Sequence, residues 1–125
     1  MKEDGLKLLE ERDRALIDIL GGLGVRRQEA TLIIWMNGAG EVSSRDIEKG
    51  TGIRQSDVSK ILRAIQENGW INDRGTNNSS KGRPRKIYSL NASLNDIVTY
   101  YELMKLKETA LAKNSIQKLR ELAPA

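Results

Sequence analysis

Several residue types that carry common chemistry are missing from this chain of 125 residues. It contains neither Cys nor His, which excludes disulfides, thiolate and imidazole metal sites, Cys nucleophiles and His general bases. Phe is absent as well. The longest apolar run, LIIWM at residues 32 to 36, is far too short to span a bilayer. We therefore expect a cytoplasmic protein that holds no metal and no cofactor.

The first half of the chain shows three helical patterns that are separated by turn signals. Residues 6 to 20 have an apolar stripe, and the pair Gly21 and Gly22 ends this helix. A second helix is predicted from about residue 26 to residue 37. Ser43 and Asp46 have the spacing of a capping box, which predicts that a third helix starts directly after Ser43.

A fourth helix, predicted over residues 55 to 68, has one apolar side and one polar side. Its apolar side consists of Val58, Ile61, Leu62 and Ile65, at the positions i, i+3, i+4 and i+7. We expect Ser56 to be its N-cap and Gly69 to end it. A turn at Thr51 and Gly52 joins it to the third helix, as in a helix-turn-helix. Candidate DNA-binding residues in and beside it are Arg54, Gln55, Ser56, Ser59, Lys60 and Arg63.

A basic hairpin is predicted after Gly69. Residues 70 to 74 and 83 to 90 alternate like strands, with Ile87 and Leu90 facing the core, and GTNNSSKG at 75 to 82 is rich in turn formers. Residues 54 to 86 carry eight Lys and Arg against three Asp and Glu, whereas the rest of the chain carries thirteen against fourteen. Such a wing is suited to a phosphate backbone or a minor groove. Its cations are Lys81, Arg83, Arg85 and Lys86.

The end of the chain predicts one long amphipathic helix, from Ser93 to about Leu122. At about 1.5 Å per residue it would be roughly 45 Å long, which outreaches a domain of this size. We expect it to bury its stripe against a second copy of the chain. That stripe consists of Leu94, Ile97, Val98, Tyr101, Met104, Ile116 and Leu119. The alternative is a helix that folds back on its own monomer with a bend near residues 110 to 115. The predicted domains are residues 1 to 92 and 93 to 125.

Three segments together resemble a winged-helix module: residues 23 to 36 (LGVRRQEATLIIWM), 43 to 71 (SSRDIEKGTGIRQSDVSKILRAIQENGWI) and 82 to 90 (GRPRKIYSL). More narrowly they resemble the DNA-binding domain of TrmB-like archaeal transcription regulators, with MarR-like and other small archaeal regulators as near relatives. The resemblance implies that residues 55 to 66 enter the major groove, that the Arg83 region is the wing and that the protein is a homodimer. TrmB-like proteins also carry a large sugar-sensing domain, which one helix replaces here, so sugar regulation is not transferred.

The predicted fold is mainly α with a small β-hairpin wing: a winged helix-turn-helix followed by a long C-terminal dimerisation helix. The predicted function is sequence-specific binding of double-stranded DNA by a homodimeric transcription regulator, whose recognition helices lie about 34 Å apart. The alternative is a winged helix that serves as a protein–protein interaction module. We expect no enzyme, because carboxylate pairs such as Glu10 and Glu11 lie on charged helix faces. A small-molecule effector near Trp35, Tyr100 or Tyr101 remains open.

Overall fold

The computed structural model describes residues 7 to 76 and 85 to 123, without the side chains of Thr76 and Arg85. Within those ranges the chain forms five helices and one antiparallel pair of strands, which confirms the predicted order of elements. In chain order they are α1 (Glu11–Gly22), α2 (Arg27–Met36), α3 (Ser44–Thr51), α4 (Gln55–Glu67), β1 (Ile71–Thr76), β2 (Arg85–Leu90) and α5 (Leu94–Leu122). Two of the predicted wing cations, Lys81 and Arg83, lie outside the described residues.

Helix α2 is the centre of the core. Every residue from Leu32 to Met36 is buried, so this helix is apolar all round over its second half. Helices α1, α3 and α4 all pack against it. The approach of α3 is especially close, since a Cβ atom added to Gly50 would lie 2.4 Å from the indole ring of Trp35. The indole Nε1 of Trp35 also donates a hydrogen bond to the carbonyl of Lys7, at 2.7 Å.

The start of α3 agrees with its sequence signal. The amide of Asp46 donates to the Ser43 hydroxyl at 3.1 Å, and the amide of Ser43 donates to the Asp46 carboxylate at 3.0 Å. These two bonds are the predicted capping box, and they satisfy two backbone donors at the helix terminus. Helix α3 ends at Gly52, whose φ of 80° is left-handed and suits glycine.

The start of α4 differs from the prediction. The N-cap is Arg54, not Ser56, because the backbone is still extended at Arg54 (φ −67°, ψ 151°) and turns helical at Gln55. The amide of Val58 accordingly donates to the Arg54 carbonyl at 2.8 Å. Ser56 thus lies inside the first turn with its side chain exposed. It is available for an external partner instead of a capping bond.

Strands β1 and β2 form the hairpin, in a register that pairs Ile71 with Leu90 and Arg74 with Ile87. Ile71 is buried, whereas Ile87 and Leu90 are half-buried. A third extended segment joins the outer edge of β2, since Val42 forms an isolated antiparallel bridge with Tyr88. The hairpin is thereby tied by its backbone to the segment that leads into α3.

The chain separates into two compact units, Met1–Ser93 and Leu94–Ala125. The second contains α5, which runs without a break for 29 residues. A bend near residues 110 to 115 is therefore absent, and the helix is roughly 43 Å long at about 1.5 Å per residue. Among the described residues, no helix is long and apolar enough to cross a membrane.

Candidate nucleic-acid interface

The polar side of α4 faces solvent because its opposite side is held in the core. Val58, Leu62 and Ile65 are buried, and Ile61 is half-buried at the edge of the same stripe. The period of the helix then turns the intervening residues outward. All six candidate residues in and beside this helix have exposed side chains: Arg54, Gln55, Ser56, Ser59, Lys60 and Arg63. The structure therefore brings this part of the predicted site together on one element.

Two residues at the start of α4 already have partners within the chain. The side-chain amide of Gln55 donates to the backbone carbonyl of Ser44 at 2.9 Å, which links α4 to the first turn of α3. Arg54 lies 3.6 Å from the carboxylate of Asp57. Gln55 retains an acceptor oxygen, but its amide group is oriented by α3. Ser56, Ser59 and Arg63 have more freedom to meet a ligand.

A cleft of about 230 Å³ joins the start of α3 to the hairpin. It is lined by Ser43, Ser44, Arg45 and Lys86, so it places two cationic side chains beside a helix N-terminus. Such a position favours anions, because both side chains are cationic and the N-terminal end of a helix dipole is positive, while the Asp46 carboxylate of the capping box offsets part of that charge. Sequence reasoning assigned Lys86 but missed Arg45, although the capping box located Arg45 in the first turn of an exposed helix.

A second cleft, of about 450 Å³, lies on the other flank of α4. Lys60 and Asp57 of α4 line it together with Arg26 at the start of α2, and Ile61 and Ala64 contribute apolar surface. Arg26 is exposed and was also missed, because it precedes a helix that the sequence identified only as core. The lining also includes Arg27 and Glu29, so the charged surface around α4 extends toward α2 with cations and acids interspersed.

The two faces of the hairpin carry different ion pairs. On one face Lys86 lies 3.6 Å from the carboxylate of Asp73. On the other, Arg74 makes a bidentate contact with Glu41, with Nη2 to Oε1 at 2.8 Å and Nε to Oε2 at 3.0 Å. The hydrogen bonds from Arg74 hold the pKa of the Glu41 carboxyl below its ordinary value. Arg85 begins β2, where its backbone pairs with Thr76.

Helix α5 exposes much apolar surface. Of the predicted dimerisation residues, Val98, Met104, Ile116 and Leu119 are exposed, Leu94 and Tyr101 are half-buried, and Ile97 is fully buried in the single chain. The helix also exposes apolar residues that lie outside the predicted stripe: Tyr100, Leu103, Leu106 and Leu111. A single amphipathic stripe does not include these residues, because the exposed apolar side chains of α5 extend around more of the helix than one stripe covers.

Comparison with known proteins finds similarity at the level of fold. No protein-family model matches this chain, and no curated protein sequence matches it. A solved structure of a "possible transcriptional regulator" from Methanosarcina mazei Go1 is similar, with a TM-score of 0.59 and 16% sequence identity over 84% of this chain and 85% of that chain. Together with the order of helices and hairpin, this likeness confirms a winged-helix fold followed by a long C-terminal helix. The narrower TrmB-like resemblance stays a prediction.

Proposed function

We propose that the protein is a sequence-specific, double-stranded DNA-binding transcription regulator that acts as a homodimer. The observation that carries this proposal is the outer face of α4, where polar and cationic side chains are exposed on a helix anchored by its buried stripe. The similar solved structure adds support, because it too is described as a possible regulator of transcription. A helix with this face fits the major groove of DNA, which is wide enough to admit an α-helix.

Different residues on this surface suit different parts of the duplex. Ser56, Ser59 and Arg63 have exposed donors and acceptors of the kinds that read base edges. Lys60 and Arg54 are suited to phosphates on either side of the groove. One N–H of the Gln55 side-chain amide is used by the bond to the Ser44 carbonyl. Its second N–H and its carbonyl oxygen remain for a contact with a phosphate or a base. In the wing, Lys81, Arg83, Arg85 and Lys86 would follow the backbone or enter a minor groove.

Arg45 extends this assignment beyond the residues that the sequence indicated. It shares a cleft with Lys86 at the N-terminus of α3, where a DNA phosphate would meet two cations and the positive end of a helix dipole. Asp73 partly neutralises Lys86 in the free chain, and this pair would exchange for a phosphate on binding. We therefore assign Arg45 and Lys86 to the same DNA strand backbone.

For the dimer, we propose that α5 pairs with α5 of a second copy. Leu111 and Leu119 are 67% and 66% exposed, and burial of such side chains is the main source of favourable free energy in association. Residues 94 to 108 carry three acids and two bases, whereas residues 109 to 122 carry one acid and three bases. Antiparallel pairing sets these unlike halves against each other, whereas parallel pairing sets the two basic halves side by side. The antiparallel arrangement is therefore favoured.

The experiment that tests the DNA-binding proposal measures affinity for a mixed-sequence duplex across a salt series. Wild type is compared with the double variant Lys60→Ala, Arg63→Ala. Each phosphate contact contributes about 0.9 units to the slope of log K against log salt, so the variant should bind more weakly and, if both cations meet phosphates, with a slope shallower by up to about 1.8 units. A slope shallower by only about 0.9 units would leave Lys60 as the phosphate contact and assign Arg63 to base contact.

The matched control is Arg12→Ala, Arg14→Ala, which removes the same charge from exposed positions on α1. This control should bind with the affinity and slope of wild type, apart from a small long-range effect of net charge. Equal losses in both double variants would mean that α4 has no special role. A wild-type chain that binds no duplex at low salt would contradict the proposed function and direct the search to protein partners of α4.

A further inference from the structure

One attachment of the hairpin to the rest of its unit is a short backbone bridge; Ile71 at the base of β1 is also buried, and β2 packs against α2 and α3. The amide of Val42 donates to the carbonyl of Tyr88 at 2.8 Å, and the amide of Tyr88 donates to the carbonyl of Val42 at 2.7 Å. The bridge and the buried Ile71 fix the base of the hairpin, so the direction of the part of the hairpin beyond Arg74 and Ile87 depends on further contacts. Glu41 immediately precedes this bridge, and its carboxylate is engaged with Arg74 of β1.

The ion pair between Glu41 and Arg74 has the geometry in which such pairs are most directional. Two nitrogens of one guanidinium meet the two oxygens of one carboxylate at 2.8 and 3.0 Å. A planar fork of this kind fixes orientation as well as distance. Both side chains are more than half exposed, so the contact contributes little to global stability. Its geometry indicates a local role.

The pair spans the sheet from one side of β2 to the other. Tyr88 of β2 bridges to Val42 on its outer edge, and the neighbouring Ile87 pairs with Arg74 on its inner edge. The contact between Glu41 and Arg74 therefore reaches over β2 and joins the two segments that flank it. Side chains alternate along a strand, so Arg74 lies on the face opposite Asp73 and its partner Lys86.

We propose that Glu41 and Arg74 are positioning residues that set the tilt of the hairpin, so that its cations and α4 meet the same duplex. This inference rests on the proposed function. It reverses the usual expectation for an acidic residue near a DNA-binding surface, because a carboxylate there ordinarily weakens binding by repelling phosphate. Glu41 instead strengthens binding through Arg74, and Arg74 acts without touching phosphate.

The test compares duplex binding by Glu41→Ala, Arg74→Ala, the double alanine variant and the reciprocal exchange Glu41→Arg, Arg74→Glu. Both single variants should bind about two- to fivefold more weakly, the range typical of an exposed ion pair. The double alanine variant should be no weaker than either single variant, because both remove the same interaction. The exchange should restore most of the affinity. As the charge control, Glu11→Ala removes an exposed acid from α1 and should not weaken binding.

Whether Glu41→Ala weakens or strengthens duplex binding distinguishes a positioning role of Arg74 from a direct contact between Arg74 and phosphate. If Arg74 binds phosphate itself, Glu41→Ala should bind as tightly as wild type or more tightly, while Arg74→Ala loses about 0.9 units of salt slope. That result would overturn the inference. It would also be overturned if neither single variant changed affinity, or if the exchange variant bound as weakly as Arg74→Ala.

Amide hydrogen exchange, measured on the protein without DNA, tests the structural role of the ion pair independently of the proposed DNA binding. In both single alanine variants the amides of Val42 and Tyr88 should exchange faster than in wild type, and the exchange variant should restore their protection. If wild type binds no duplex at low salt, the proposed function fails and these amides alone decide the role of the pair. Unchanged protection in the single variants would then overturn it.

Discussion

Gly50 is a position at which the fold leaves no room for a side chain. A Cβ atom there would lie 2.4 Å from the ring of Trp35, which is fully buried and has no room to move away. The contact lies between α3 and α2, and α3 also fixes Gln55 of the recognition helix. A side chain at position 50 would push α3 away from α2, and α3 in turn orients Gln55 on α4. Packing at Gly50 therefore affects the position of the candidate DNA-binding surface.

We predict that Gly50→Ala lowers the free energy of unfolding by about 1 to 3 kcal/mol, the usual range for overpacking a dense core. Chemical denaturation with Trp fluorescence measures this change. Gly21→Ala is the matched control, because a Cβ atom at Gly21 of α1 meets nothing within 4 Å. It should raise stability by up to about 1 kcal/mol. Equal effects of the two substitutions would contradict the packing argument.

Single residues differed in how well the sequence predicted them. The capping box at Ser43 and Asp46 was predicted correctly, because both partners lie within one turn and the chemistry is local. The cap at Ser56 was wrong, since the backbone is extended at Arg54 and already helical at Gln55. The ion pair of Glu41 and Arg74 was not predicted, because its partners are 33 positions apart and no sequence motif links them.

Among the elements, α4 and α5 show what hydrophobic period does and does not predict. In α4 the stripe of Val58, Leu62 and Ile65 correctly gave both the helix and its buried side. In α5 the same method predicted a continuous helix, which agrees with the structure, and its predicted stripe includes both Ile97, which is buried, and Ile116, which is exposed. Period identifies an apolar face, but it does not distinguish burial within the chain from burial against a second copy.

We predict that α5 controls assembly. Leu111→Glu combined with Ile116→Glu should weaken the dimer by at least about a hundredfold, because burying one such side chain is worth roughly 1.5 to 3 kcal/mol and each is lost twice. Sedimentation equilibrium measures the dissociation constant. Gln117→Glu adds one charge to an exposed polar position of the same helix and should leave the dimer nearly intact.

Two outcomes would contradict this prediction for α5. The first is a wild-type chain that sediments as a monomer at every accessible concentration. The second is a Leu111→Glu, Ile116→Glu variant that associates as strongly as wild type, which would place any interface outside these side chains. Because both residues are exposed in the single chain, their substitution should leave the fold of the first unit unchanged.

For the whole molecule, the sequence predicted the order of elements and the concentration of positive charge, since both are properties of short segments. It did not predict how separate segments combine. Arg45 and Lys86 share one cleft although they belong to α3 and β2, and Arg26 and Lys60 share another between α2 and α4. These combinations depend on tertiary packing, which places residues distant in the chain side by side.

The measurement that tests the central claim most directly is a nitrogen-15 NMR titration of the protein with a short mixed-sequence duplex at low salt. The backbone amides of α4 from Ser56 to Arg63, of Arg45 and of Lys86 should shift first and furthest, while those of α1 and the second half of α5 should change little. Duplex binding whose shifts are confined to α1 or α5, or no shifts at all, would contradict the account.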